Sequence, residues 1–73
     1  MFKERIKEVL ELVLEAEDKT DIYLDFEYNI QGKVLCICAE GHVFAASNNK
    51  YMEESIQEMK DYLKALIEGG ETQ

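Results

Sequence analysis

From Phe2 to about Asp18 the apolar residues Phe2, Ile6, Val9, Leu10, Val13 and Leu14 recur at helical spacing. That spacing gathers them on one side of an α-helix over 2–18, with Glu4, Glu8, Glu11 and Glu15 on the other. Asp18-Lys19-Thr20-Asp21 interrupts the pattern. Residues 21–30 then alternate strictly. Ile22, Leu24, Phe26, Tyr28 and Ile30 fall on one face and Tyr23, Asp25, Glu27 and Asn29 on the other, as in a strand with one wet side. Gln31-Gly32 and Glu40-Gly41 read as two-residue hairpin turns, which sets further strands over 33–39 and 42–46. A second helix is predicted over 50–68, with Asn49 as its cap and Glu53 and Glu54 near its positive end. Met52, Ile56, Met59, Leu63, Leu66 and Ile67 form its apolar stripe, and Gly69-Gly70 reads as its C-cap, leaving 69–73 as a tail.

The element order αβββα defines an α+β fold: a three-stranded antiparallel meander with two helices packed on one face, in a single domain. The middle strand, Val34-Leu-Cys-Ile-Cys-Ala39, is apolar at every position, so register decides what Cys36 and Cys38 face. Two-residue turns pair Tyr28 with Leu35, Phe26 with Ile37, Leu24 with Ala39, Ile37 with Phe44 and Ala39 with His42. The helix-covered face is then Ile22, Leu24, Phe26, Tyr28, Leu35, Ile37, Phe44 and Ala46. The reverse face holds Val34, Cys36, Cys38, Val43 and Ala45, bordered by Tyr23, Asp25, Glu27 and Asn29. A slip of one residue would exchange the faces of a strand.

A chain of 73 residues buries only about 60% of its unfolded surface, so its stability margin is thin. Hydrophobic residues at 47% are those of a folded domain. No apolar run approaches the roughly 20 residues of a membrane span. The N-terminal stretch mixes acids among its apolar residues, unlike a signal peptide. A soluble, cytoplasmic protein without membrane contact is the expectation. Sixteen acids against eight Lys and Arg argue against direct nucleic-acid binding, which needs clustered cations.

Candidate chemistry narrows the picture further. Cys36 and Cys38, two apart on one strand, have Cα atoms at roughly 6.6–6.8 Å, the outer limit for a disulfide, and read as reduced thiols. Zinc wants four ligands at about 2.0–2.3 Å, and His42 falls on the face opposite the thiols, so no metal site is expected. No base is placed to activate a nucleophile and no glycine-rich phosphate loop occurs, so neither catalytic residues nor a cofactor are expected.

Two surfaces remain. One is the acidic side of the first helix, where Glu4/Glu8 and Glu11/Glu15 are like-charge pairs at i,i+4, each costing a few tenths of a kcal/mol, and Lys7 beside Glu11 offsets part of this. The other is the open sheet face around Tyr23, Val34, Cys36, Cys38 and Val43.

The αβββα order resembles the double-stranded RNA-binding domain, with "AASNNKYMEESIQEMKDYL" where that family's second helix begins. There the family carries phosphate-gripping lysines. This sequence has Lys50 followed by Glu53 and Glu54, so RNA binding does not follow. In element order and charge, from Phe2 to Ile67, the chain also resembles small acidic anti-CRISPR proteins of phages, although the extra helix of at least one such inhibitor is absent. That resemblance implies carboxylates imitating DNA to block a basic, nucleic-acid-binding protein partner, with Glu4, Glu8, Glu11, Glu15, Asp25 and Glu27 as the working residues. The alternative expectation is a small adaptor or homodimer that uses the open sheet face.

Overall fold

The computed structural model describes residues 2–71. The order is α1 (Phe2–Lys19), β1 (Leu24–Asn29), β2 (Val34–Ala39), β3 (His42–Ser47) and α2 (Met52–Glu71). The strands form one antiparallel sheet in the order β1-β2-β3, so the expected αβββα meander is the observed architecture. β1 is shorter than the alternation suggested, beginning at Leu24 and not at residue 21.

The register is the expected one throughout. Leu24 pairs with Ala39, Phe26 with Ile37 and Tyr28 with Leu35; Ile37 pairs with Phe44 and Ala39 with His42. The two turns reach it differently. Glu40 (φ 51) and Gly41 (φ 83) both take positive φ, the geometry of a type I′ two-residue turn. The first hairpin instead has four residues, Ile30 to Lys33, between the paired Asn29 and Val34. Opening a two-residue turn by one residue on each side leaves every pairing unchanged. Lys33 (φ 55), not Gly32, takes the left-handed conformation, and Asn29 Oδ1 accepts the Gly32 N–H at 2.7 Å to close the loop. Ile30, expected on the core face, sits in this loop and is 77% exposed.

Both helices cover one face. Leu35, Ile37 and Ala46 of the sheet are buried against Phe2, Val9, Val13 and Ala16 of α1 and Ile56, Met59, Leu63 and Ile67 of α2, and Ala39 is buried beside them. Each fully buried Leu, Ile or Val removes enough apolar surface to contribute about 1.5–3 kcal/mol. The α1 stripe differs from the expected one. Leu10 and Leu14 are 37% and 56% exposed, while Ala16 is buried and Leu12 packs against the core. Two helices side by side on a three-stranded sheet leave an outer flank uncovered, and these leucines lie on it.

Local chemistry sets the helix ends. Asn49 caps α2 as expected, its Oδ1 accepting the Tyr51 N–H at 2.8 Å. α1 ends on Thr20, whose N–H and hydroxyl both donate to the Ala16 carbonyl, at 2.9 and 2.7 Å. α2 does not stop at Gly69-Gly70 but continues to Glu71. Of the expected tail 69–73, only Thr72 and Gln73 lie outside the described residues. The Phe2 ring meets Tyr28 at the far end of β1, with centroids 6.0 Å apart, and Tyr62 reaches the β2–β3 turn. Each helix thus runs antiparallel to the strand beneath it, and α1 and α2 are parallel to one another.

Candidate functional site

Register and helix placement together leave the second face of the sheet uncovered. Its side chains form three rows across the strands: Asp25, Cys38 and Val43; Glu27, Cys36 and Ala45; Asn29, Val34 and Ser47. Val34, Cys36 and Cys38 on the central strand are half-buried by their neighbours alone, whereas Val43 is 70% exposed and Tyr23, just before β1, 82% exposed. Both cysteines are free thiols. The result is an apolar strip bordered along β1 by the carboxylates of Asp25 and Glu27. Val34, Cys36, Cys38 and Val43 lie on this face through their pairings, whereas Tyr23 falls before β1 and outside the paired positions.

The six carboxylates expected to act together are divided. Asp25 and Glu27 lie on the open sheet face. Glu4, Glu8, Glu11 and Glu15 are on α1, which covers the opposite side. Within α1 they divide again. Glu8 accepts from Lys60 Nζ at 2.9 Å and from Arg5 Nη1 at 3.1 Å, and so belongs to the helix–helix seam. Arg5 Nε reaches across to Glu53 at 3.0 Å. The Lys60 hydrogen bond, opposed by partial desolvation and reinforced by the Lys60 and Arg5 charges, holds the Glu8 carboxyl below its ordinary pKa. Glu53 and then Glu8 raise that of the Arg5 guanidinium. Glu15 pairs with Lys19 at 3.1 Å. Glu4 and Glu11 are exposed, and among the described residues they make no ion pair.

His42 lies on the helix side of β3, as its pairing with Ala39 requires. Its ring stacks on Phe44 with centroids 6.4 Å apart and lies tilted against Tyr62 at 5.5 Å, and the Phe44 and Tyr62 rings are 5.0 Å apart. The Tyr62 hydroxyl donates to Glu40 Oε1 at 3.2 Å; burial first, and then this carboxylate, push its pKa up. Periodicity along α2 could not reveal this cluster, because Tyr62 flanks the buried stripe and its partners come from a distant hairpin. Among the described residues no group of three His, Cys, Asp or Glu side chains converges as metal ligands would. An open cleft of about 590 Å³ lies where α1, the β2–β3 turn and α2 meet, lined by Asp18, Thr20, Asp21, Ile22, Glu40 and Leu66. It carries the carboxylates of Asp18, Asp21 and Glu40 beside Lys19, and its one hydroxyl, that of Thr20, donates to the Ala16 carbonyl. No described helix is long and apolar enough to cross a membrane.

No family model, curated protein or solved structure matches this chain.

Proposed function

We propose that this chain is a non-enzymatic protein-binding module that works through its open sheet face. The partner is a protein surface with an apolar centre flanked by Lys or Arg. The carrying observation is the juxtaposition of exposed Val43 and half-buried Cys36 and Cys38 with Asp25 and Glu27, on a face that no described element covers, with exposed Tyr23 just before β1. A large exposed apolar side chain beside fixed charges combines burial on contact with electrostatic selection of the partner. The net charge of −8 adds long-range attraction toward cationic surfaces.

A second reading, inhibition by nucleic-acid mimicry of the phage anti-CRISPR kind, draws support from Glu4, Glu11 and Glu15, which are exposed along one side of α1. Glu8 drops out of that surface because it holds α1 to α2.

The test is affinity capture from bacterial lysate on wild-type protein, an Asp25→Lys/Glu27→Lys variant and a Glu4→Lys/Glu11→Lys variant, with salt elution. Proteins retained by wild type and lost only on the first variant support the sheet face. Loss only on the second variant, with release by duplex DNA, moves the function to α1. Identical retention on all three would overturn both readings.

A further inference from the structure

We propose that Cys36 and Cys38 form a binding site for a soft monovalent metal ion, copper(I), held between their two thiolates. They are alternate residues of β2, so their side chains rise from one face of the sheet, the face that neither helix covers. Both are free thiols and only half-buried, so each keeps a path to solvent.

Their spacing decides what can join them. Alternate Cα atoms on a strand lie roughly 6.6–6.8 Å apart, and the Cβ atoms above them are about as far. A disulfide needs Cβ atoms about 3.8 Å apart around an S–S bond of about 2.05 Å. A strand held on both sides resists that contraction, and β2 is paired with β1 and with β3 along its whole length. An ion set between the sulfurs changes the requirement. Two thiolate–metal bonds of about 2.3 Å, the zinc value, span about 4.6 Å when they lie in line. Side chains on a strand lean along it, so each Sγ has to lean toward the other by only about 1 Å. The separation that is too wide for a disulfide suits a sulfur–metal–sulfur bridge.

The number and kind of donors then select the ion. Among the described residues no three His, Cys, Asp or Glu side chains come together as ligands, so a tetrahedral zinc site is not formed. Two thiolates alone suit a soft ion that accepts linear coordination, and copper(I) is such an ion. Across the strands Cys36 stands between Glu27 and Ala45, and Cys38 between Asp25 and Val43. The two carboxylates attract a cation to the strip from a distance, while Ala45 and Val43 present no competing donor. Binding is a proton exchange without a redox step. Two S–H bonds break, two S–Cu bonds form, two protons leave to solvent, and the bridged unit carries one negative charge.

The experiment is an anaerobic titration of the reduced full chain with copper(I) against a chromogenic copper(I) chelator, on wild type, Cys36→Ser and Cys38→Ser. Wild type should withdraw one ion per chain from the chelator, and each single serine variant should lose that capacity. X-ray absorption at the copper of loaded wild type should show two sulfur neighbours, a readout that does not depend on how the variants fold. The proposal is overturned if wild type leaves the copper with the chelator or if either serine variant keeps the full capacity. A third ligand at the metal, or copper that joins two chains in sedimentation, overturns it as well. Asp25 and Glu27 are unchanged in every protein used and no partner is present, so the outcome is separable from that of the capture experiment.

Discussion

Lys60 Nζ donates a 2.9 Å hydrogen bond to Glu8 Oε1, joining α2 to α1 across 52 residues of chain. With Arg5 bonded to both Glu8 and Glu53, the helix seam is laced by four charged groups from two parallel helices. A carboxylate that looks like a solvent-facing acid in the sequence is thus part of the framework.

This pairing predicts a particular acid sensitivity. The Glu8 pKa is lower in the folded chain than in the unfolded one, so its contribution is present above the ordinary carboxylate value and is lost as pH falls through the folded value. Glu8→Gln should melt below wild type at neutral pH, and the difference should vanish in strongly acid solution. Thermal melts of the two proteins across that range check it. A difference that persists unchanged in acid would exclude the charged pairing as its source.

The first hairpin predicts an exchange of glycine. Gly32 is not left-handed, and a Cβ there would meet Asn29 Oδ1 at 3.4 Å and Val34 Cγ2 at 3.7 Å, which are ordinary contacts, whereas Lys33 has φ 55. Gly32→Ala should be nearly neutral, and Lys33→Gly should stabilise by roughly 0.5–1 kcal/mol by removing a left-handed side chain. Chemical denaturation of both variants measures this directly.

The second hairpin couples a turn to a tyrosine. Glu40 occupies the first left-handed position of a type I′ turn, where Asn is favoured. Glu40→Asn should relieve that strain and at the same time lower the pKa of Tyr62, which loses its carboxylate acceptor and keeps the longer bond to the Ala39 carbonyl. In wild type the folded Tyr62 holds its proton beyond the unfolded value. Its contribution is therefore complete below about pH 10 and is lost as pH rises through the folded pKa. An ultraviolet titration of tyrosinate in the two proteins follows the shift, and superimposable curves would refute it.

Two leucines should behave in opposite ways. Leu63 is fully buried and Leu14 is 56% exposed. Leu63→Ala should cost about 2–5 kcal/mol by opening a cavity under the sheet. Leu14→Gln should change stability by less than about 0.5 kcal/mol. Denaturant midpoints distinguish them.

The alternation in β1 was enough to read the fold, because a period of two has only one placement over a covered face, and the register followed even though the first loop is longer than expected. The loop's own conformation was hidden: Asn29 settles it through a side-chain bond to the Gly32 N–H, which favours a four-residue arrangement over the Gly-centred turn. Leu10 and Leu14 were misplaced because helical spacing marks an apolar side without saying how much of it a narrow sheet can cover. The open face was legible, since it follows from register alone. The division of the acids was not, because Lys60 meets Glu8 only once the second helix has docked.

The parallel docking of α1 on α2 has a consequence for biosynthesis. The buried side chains of Phe2, Val9 and Val13 find their partners at Ile56, Met59 and Leu63, so the core joins opposite ends of the described chain. On the ribosome, α1 must wait as an exposed amphipathic segment while the hairpins and then α2 are made. Until α2 has left the exit tunnel, that apolar stripe is open to chaperones and to its own neighbours on the polysome.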